Sequence, residues 1–392
     1  MAPPDPILGV TDAFKADQRA VKANLGVGIY QDAEGHLALL DSVRDAEELI
    51  ASHLAPRPYL SIDGNPDYDA LTARLVLGDD HPALLNGTAV TVQTLGGSGA
   101  LKVGGDLLVS LGAKTILMSD PTWDNHTPLL RGCGLQVGQY PYYDPATRGI
   151  DFDAMMGAVG QAAPGTVILL HACCHNPTGA DLTREQWAQV IDALEAGGLI
   201  PFVDMAYQGF ADGIEDDAWP VREIARRGLP LLCANSFSKT FGLYGERVGG
   251  LTIIARDPDE AARVRSQAKL RVRANYSNPP THGAAIVAIV LGDAARRAHW
   301  QSEVDAMRER IKTMRQALVD ELRAAGVDDD LSYITRQRGM FSYMGLSQRQ
   351  MIQLREQFGV YGVESGRLCV AALNTNNVSM VAQAIASVCV GQ

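Results

Sequence analysis

Three short segments in the middle of the chain carry side chains that could do chemistry together. Asn176 stands in HNPTG, Asp204 and Tyr207 in DMAYQGF, and Lys239 in SFSKTFGLYGERVGG, which also holds Arg247. A lysine is a nucleophile and a proton carrier when its neutral form is favoured, as burial and nearby cations make it. Upstream, Gly96-Gly97-Ser98-Gly99-Ala100 opens a helix-length segment. Backbone N–H groups and the positive end of a macrodipole there suit a phosphate. Each signal is weak alone: the glycines equally fit a dinucleotide loop or a plain turn, and Asn-Pro-Thr-Gly is also an ordinary turn.

What strengthens them is the set of elements that must carry them. TILMSD (115–120), TVILLHACC (166–174), LIPFVDMAY (199–207), LPLLCANS (229–236) and GGLTIIA (249–255) are short, nearly continuous apolar runs. Such runs mark strands covered on both faces, as in mostly parallel sheets. Helix signals lie between them; Thr183 with Gln186 is a capping-box start. The alternation implies an α/β domain with its ligand at the carboxyl ends of the strands. Asn176, Asp204/Tyr207 and Lys239 then fall at three successive strand ends. An N-terminal helix is expected over 8–20 and a long helix around 294–325. Ser347 with Gln350 opens a further helix that stops near Gly359.

Bulk properties bound the function. A chain of 392 residues is long for one core and predicts two domains, or one with an added lobe. A net charge of −11 argues against a nucleic-acid partner, which usually meets a basic face. No apolar run reaches the roughly 18 residues that span a bilayer, and MAPPDPILGV lacks the features of a secretory signal. Neither a membrane nor a nucleic acid is expected as partner. Six cysteines, two of them adjacent, do not resemble a disulfide framework, so a cytoplasmic setting is expected. HACCH invites a metal reading. On a strand, however, His171, Cys173 and His175 would share one face with Cys174 turned away, a poor tetrahedral set. No metal is expected.

The chain resembles the class I aminotransferases of the aspartate and aromatic amino-acid type, within fold type I of the pyridoxal phosphate enzymes. The resemblance runs from DPILGV through YLSIDG, GGSGAL, DPTWDNH, YYDPATRG, HNPTG, DMAYQGF, SFSKTFG, ERVGG, RANYSNPP and RGMFSY to ESGRLCVAALN. It implies an α/β fold with a large cofactor-binding domain over 38–306 and a smaller α/β domain formed by 1–37 and 307–392. It also implies pyridoxal 5'-phosphate, held by Lys239 as a Schiff base, with Lys239 later shuttling the substrate proton. Asp204 would pair with the protonated pyridine nitrogen and keep the ring an electron sink. Tyr207 and Asn176 would hydrogen-bond the ring's phenolic oxygen, and Trp123 would stack on its face. His126 is expected near Trp123, tuning Asp204. Gly97, Ser98, Ser236 and Arg247 would cradle the phosphate, joined by Tyr59 from a neighbouring subunit.

For the substrate, Arg367 would clamp the α-carboxylate with a bidentate pair, which lysine cannot provide. Arg273 would meet a distal carboxylate across a dimer interface, Asn278 would fix the pose, and Gly28 would line the pocket. A homodimer with shared sites follows. QTLGGSGALKVG, NSFSKTFGLYGERVGG and RGMFSY look more like the bacterial tyrosine and aromatic enzymes than strict aspartate ones, apart from Thr240-Phe241-Gly242 after the lysine. The expected activity is therefore ping-pong transfer of amino groups from aromatic amino acids, aspartate and glutamate to 2-oxo acids such as 2-oxoglutarate and oxaloacetate. A narrow aspartate aminotransferase is the runner-up. A pyridoxal phosphate lyase would share Lys239 and Asp204 without needing Arg273. A regulator on this fold would need a DNA-binding module, and an NAD enzyme would need no lysine imine.

Overall fold

The computed structural model describes residues 8–389, so residues 5–7 of the DPILGV motif lie outside the described residues. A seven-stranded sheet organises the molecule. Its strands in chain order are β1 (Ala89–Leu95), β2 (Thr115–Asp120), β3 (Gln136–Pro141), β4 (Val167–His171), β5 (Ile200–Met205), β6 (Leu231–Ser236) and β7 (Val248–Ile254). Across the sheet the order is β1-β7-β6-β5-β4-β2-β3. Only β7 runs antiparallel to its neighbours β1 and β6. The sheet is the mostly parallel one that the apolar runs imply.

Both faces of the sheet are covered. Phe202, Leu232, Ala234 and Leu251 pack with Leu101, Val103 and Val272 on one side. Val203, Met205, Leu231 and Cys233 pack with Trp187, Val190 and Ile224 on the other. Neighbours along a strand thus serve opposite layers, which is why β5 and β6 read as unbroken apolar runs. β1 and β3 give no such run. β1 buries polar side chains and satisfies them: Thr91 bonds Thr252 across the pair at 2.9 Å, and Gln93 donates to the Pro280 carbonyl at 2.7 Å. β3 lies at the sheet edge and buries only Tyr140.

The helices form where local signals place them. α1 spans Leu8–Ala16, α2 spans Gly96–Ser110, α3 spans Arg184–Gly197 and α4 spans Pro258–Tyr276. α5 is the long Ala294–Ala324 helix, and α6 spans Gln348–Phe358. Thr183 and Ser347 each close a reciprocal capping box, and Gly359 ends α6 in the left-handed conformation. α1 stops short of the expected residue 20 because Lys22 Nζ takes the carbonyls of Phe14 and Asp17, at 2.8 and 2.6 Å. β4 also stops short of Cys174. The backbone bends after His171 and Cys174 adopts φ +51°, so the single strand face supposed for His171, Cys173 and His175 does not exist.

Chain beyond the sheet returns to its carboxyl edge. β8 (Phe341–Tyr343) pairs antiparallel with β9 (Arg367–Cys369). Ala23–Asn24 pairs with Val360–Tyr361, which brings the N-terminal stretch against the C-terminal one. A third apolar cluster, with Leu25, Tyr207, Phe237, Trp300, Phe341 and Leu368, packs these segments against the carboxyl ends of the strands. All six cysteines are free thiols. Among the described residues no helix is long and apolar enough to cross a membrane.

Candidate active site

The turns after β4, β5 and β6 converge on a cavity of about 680 Å³, within the range of small-molecule sites. Its wall includes Gly28, Gly97, Ser98, Trp123, Asn176, Asp204, Tyr207, Ser236, Lys239, Arg247 and Arg367. Eleven of the fourteen residues that the sequence proposes for the site therefore meet in one place. Lys239 lies with its Nζ 4.9 Å from the centre of the Tyr207 ring. Burial, opposed by Asp204 and reinforced by Arg247 and Arg367, pulls its ammonium down to about 8. A lysine so placed offers far more neutral amine at physiological pH than one in water.

Asp204, at the end of β5, is buried. Its Oδ2 meets His126 Nε2 at 3.0 Å, and Thr122 Oγ1 meets the other ring nitrogen at 2.8 Å. Burial works against the Asp204 charge, yet the His126 hydrogen bond, helped by the nearby Lys239, outweighs it and holds the carboxyl below its ordinary value. Its Oδ1 is buried without a partner, a vacant acceptor at the cavity floor. His126 sits edge-on to Trp123, with ring centres 5.2 Å apart.

The opposite wall is built for an anion. α2 begins directly after β1 with Gly96 at φ +67°. A Cβ at Gly96 would lie 2.6 Å from Arg247 Nη2, and one at Gly97 would lie 3.2 Å from Ser236 Cβ. The glycines thus leave the first turn's N–H groups open beside Ser236 and Arg247. Arg247 is held by the Tyr244 carbonyl at 3.0 Å and Ser238 Oγ at 3.3 Å.

Arg367, on β9, is buried and forms no ion pair among the described residues. Its Nη1 donates to Asn176 Oδ1 at 3.0 Å and its Nη2 to the Gly26 carbonyl at 2.6 Å, while Nε has no partner. The guanidinium lies 4.2 Å from the centre of the Phe341 ring, and that ring presses against Gly28, where a Cβ would come within 2.6 Å of it. A buried, unpaired cation is costly unless an anion completes it. The set of unpartnered groups (an acceptor at Asp204, donors at α2 and Arg367, an amine between them) fits a phosphorylated pyridine aldehyde and a carboxylate substrate.

Tyr59, Arg273 and Asn278 do not reach this cavity. They line a separate outer cleft of about 940 Å³ with Arg57, Leu95 and Pro280. Tyr59 is 93% exposed. Arg273, near the end of α4, is also exposed and bonds only Ser277 Oγ, while Asn278 Nδ2 donates to the Leu60 carbonyl at 2.8 Å. The cavity also contains residues that sequence reasoning did not assign: Ser238, Tyr244, Asp124, His171 and Phe341. Ser238 had a legible signal, since it alternates with Ser236 just ahead of Lys239; Tyr244 enters through loop geometry alone.

The model of the family "Aminotransferase class I and II" matches residues 20–385. An aromatic-amino-acid aminotransferase of Escherichia coli is 49% identical over 386 residues, which cover 98% of this chain and 97% of that protein. An aspartate aminotransferase of Pseudomonas aeruginosa is 48% identical, covering 99% and 98%. A solved aromatic-amino-acid aminotransferase from Burkholderia pseudomallei, covalently bound to pyridoxal phosphate, superposes with a TM-score of 0.97 at 54% identity, covering 99% and 98%. The chain belongs to the class I and II aminotransferase family, and it is a transaminase.

Proposed function

We propose that this aminotransferase uses pyridoxal 5'-phosphate to move amino groups from aromatic amino acids, aspartate and glutamate to 2-oxo acids, in a homodimer whose two sites share residues. The observation that carries the reading is the buried cavity that joins a lysine of lowered pKa to an ionised Asp204 and an unpaired Arg367. When bound, the cofactor supplies an electron sink for removal of the proton on substrate Cα. The chain does the rest. Lys239 would hold the cofactor's aldehyde carbon, and its freed amine would take the Cα proton. Asp204 Oδ1 would accept the ring N–H, with His126 fixing the carboxylate from behind. Tyr207 and Asn176 Nδ2 would donate to the ring's phenolic oxygen, and Trp123 would cover one ring face. The open turn of α2 with Ser236 and Arg247 would take the phosphate, and Arg367 the substrate α-carboxylate.

The outer cleft supports the shared site. Tyr59, Arg273 and Asn278 are gathered on one exposed face, where Tyr59 could serve a partner's phosphate and Arg273 a partner's dicarboxylate substrate. Relatives named for aromatic and for aspartate activity match this chain about equally, in keeping with dual specificity. We also infer a division into 38–306 and the two terminal segments, supported by the pairing of Ala23–Asn24 with Val360–Tyr361. The free thiols agree with a cytoplasmic setting. The test is the visible spectrum of the cofactor-loaded protein upon adding aspartate and, separately, phenylalanine. Both should discharge the lysine-bound form. No response to phenylalanine would assign the chain to aspartate alone; no response to either would end the reading.

A further inference from the structure

We infer that Asp181 is a positioning residue for the active site: its carboxylate fixes the loop that aims Asn176 into the cavity. The inference rests on the role proposed above for Asn176. Asp181 itself lines neither the Lys239 cavity nor the outer cleft.

The geometry is a small anion nest closed from within. Beyond His171 the backbone turns, and Cys174 takes φ +51°, a left-handed conformation that a non-glycine residue adopts only when something holds it. Two consecutive N–H groups then face the same way. Cys174 N donates to Asp181 Oδ2 at 2.6 Å and His175 N to Asp181 Oδ1 at 2.8 Å. Consecutive N–H groups in such a turn form a concavity for an anion, and charge-assisted bonds are the stronger kind. Asn176 is the next residue along.

The other contacts of the loop explain why this carboxylate matters. Gly179 N returns to the His175 carbonyl at 2.7 Å, and Arg338 N ties the Gly179 carbonyl to the segment before β8 at 2.7 Å. The His175 ring is pinned by Thr178 and Ser119 and stacks on Tyr142. Arg367 occupies Asn176 Oδ1, which leaves Nδ2 to face the cavity. Of these bonds only the one from Gly179 reaches the backbone at His175, and it takes the carbonyl; the N–H groups of Cys174 and His175 are held by Asp181 alone.

Groups around Asp181 make the hold sensitive to pH. Asp217 faces it from one element and Arg338 from another, with Cys173, Cys174 and His175 beside it and Arg315 near Cys174. Burial keeps the Cys174 thiol and His175 uncharged, and contact with Cys174 together with burial does the same for the Cys173 thiol. Burial also pushes the Asp181 carboxyl up to about 6, while the two N–H bonds pull the other way. These bonds favour the carboxylate, so the latch is complete above about 6 and loosens as pH falls through that value.

Asp181→Ala and Asp181→Asn in the full chain test this, with Asn176→Ala in parallel. The first readout is amide exchange at 172–176 in cofactor-free protein at about pH 5 and about pH 8, corrected for intrinsic rates; the second is kcat and KM of the loaded enzyme. Asp181→Ala should raise exchange at Cys174 and His175 at least tenfold at the higher pH. It should lower kcat/KM by roughly 10²-fold, the usual effect of a misplaced reacting group, mainly through kcat. Asp181→Asn keeps one acceptor and should fold even if the alanine variant does not. It should fall between the two and abolish the change in loop exchange across pH 6. Unchanged exchange in Asp181→Asn, or looser loops with kcat/KM within about twofold of wild type, would overturn the inference. If Asn176→Ala is itself harmless, the role of Asn176 fails instead, and the exchange data still judge whether Asp181 holds the loop.

Discussion

Replacing each of the two substrate arginines by leucine should separate the substrates. Arg367 is buried with Nη1 and Nη2 each already giving one bond, to Asn176 and Gly26, and with Nε vacant. A carboxylate can therefore take Nε and one remaining Nη proton. A hydrogen bond to a charged group contributes about 1.5–3 kcal/mol net, so two contribute roughly 3–6 kcal/mol. At about 1.4 kcal/mol per tenfold, Arg367→Leu should lower kcat/KM by roughly 10²–10⁴ for every amino acid, since all present an α-carboxylate. Arg273 stands in the outer cleft and bonds only Ser277. If it serves the partner's site with one such bond, Arg273→Leu should cost aspartate roughly 10–150-fold by the same conversion. Phenylalanine should lose little or gain, because an unpaired guanidinium beside an apolar ring is unfavourable. The assay is kcat/KM for aspartate, tyrosine and phenylalanine on both variants. Equal losses for aspartate and phenylalanine in Arg273→Leu would refute the division of labour, and an Arg367→Leu enzyme that spares any of the three would refute the clamp.

Three further outcomes are expected. Lys239→Ala should retain cofactor through the α2 cradle yet lose transamination by more than the roughly 10²–10⁴-fold that positioned proton transfer contributes, as stopped-assay rates would show; a rate within tenfold of wild type contradicts it. Mixing inactive Lys239→Ala with inactive Arg273→Ala should restore some dicarboxylate activity in hybrids; a fully active monomer in sedimentation would rule out the shared site. Only the neutral amine attacks an aldehyde, so the rate at which cofactor-free protein captures pyridoxal phosphate should rise through pH 8, where burial has drawn Lys239, and level off above it. A midpoint near that of an ordinary lysine, about 10.4, would mean that the cavity does not tune the amine.

Residues at strand ends were legible because a buried parallel sheet writes itself as apolar runs, and the chemistry sits where each run stops. Lys239, Asp204, Tyr207 and Asn176 were found in this way, and Arg367 through its motif. The three that lie outside the cavity were legible only as motifs, since nothing in YLSIDG or RANYSNPP tells where a side chain faces. β1 was hidden because its polar residues are buried and hydrogen-bonded rather than exposed, and β3 because an edge strand buries little. The overlong strand through HACC was read from hydrophobicity, whereas the backbone bends after His171 and Cys174 N–H turns to the Asp181 carboxylate, seven residues further along. Tyr244 and Phe341 enter the cavity through tertiary folding that no local pattern encodes.

The central claim is that the ε-amine of Lys239 carries the cofactor. Borohydride reduction of the loaded protein, followed by proteolysis and peptide mass mapping, addresses it directly. The pyridoxyl group should appear on the peptide that contains SFSKTFG, at Lys239 and at a stoichiometry near one per chain. Label on Lys102, Lys269 or any other lysine, with Lys239 unmodified, would contradict the account.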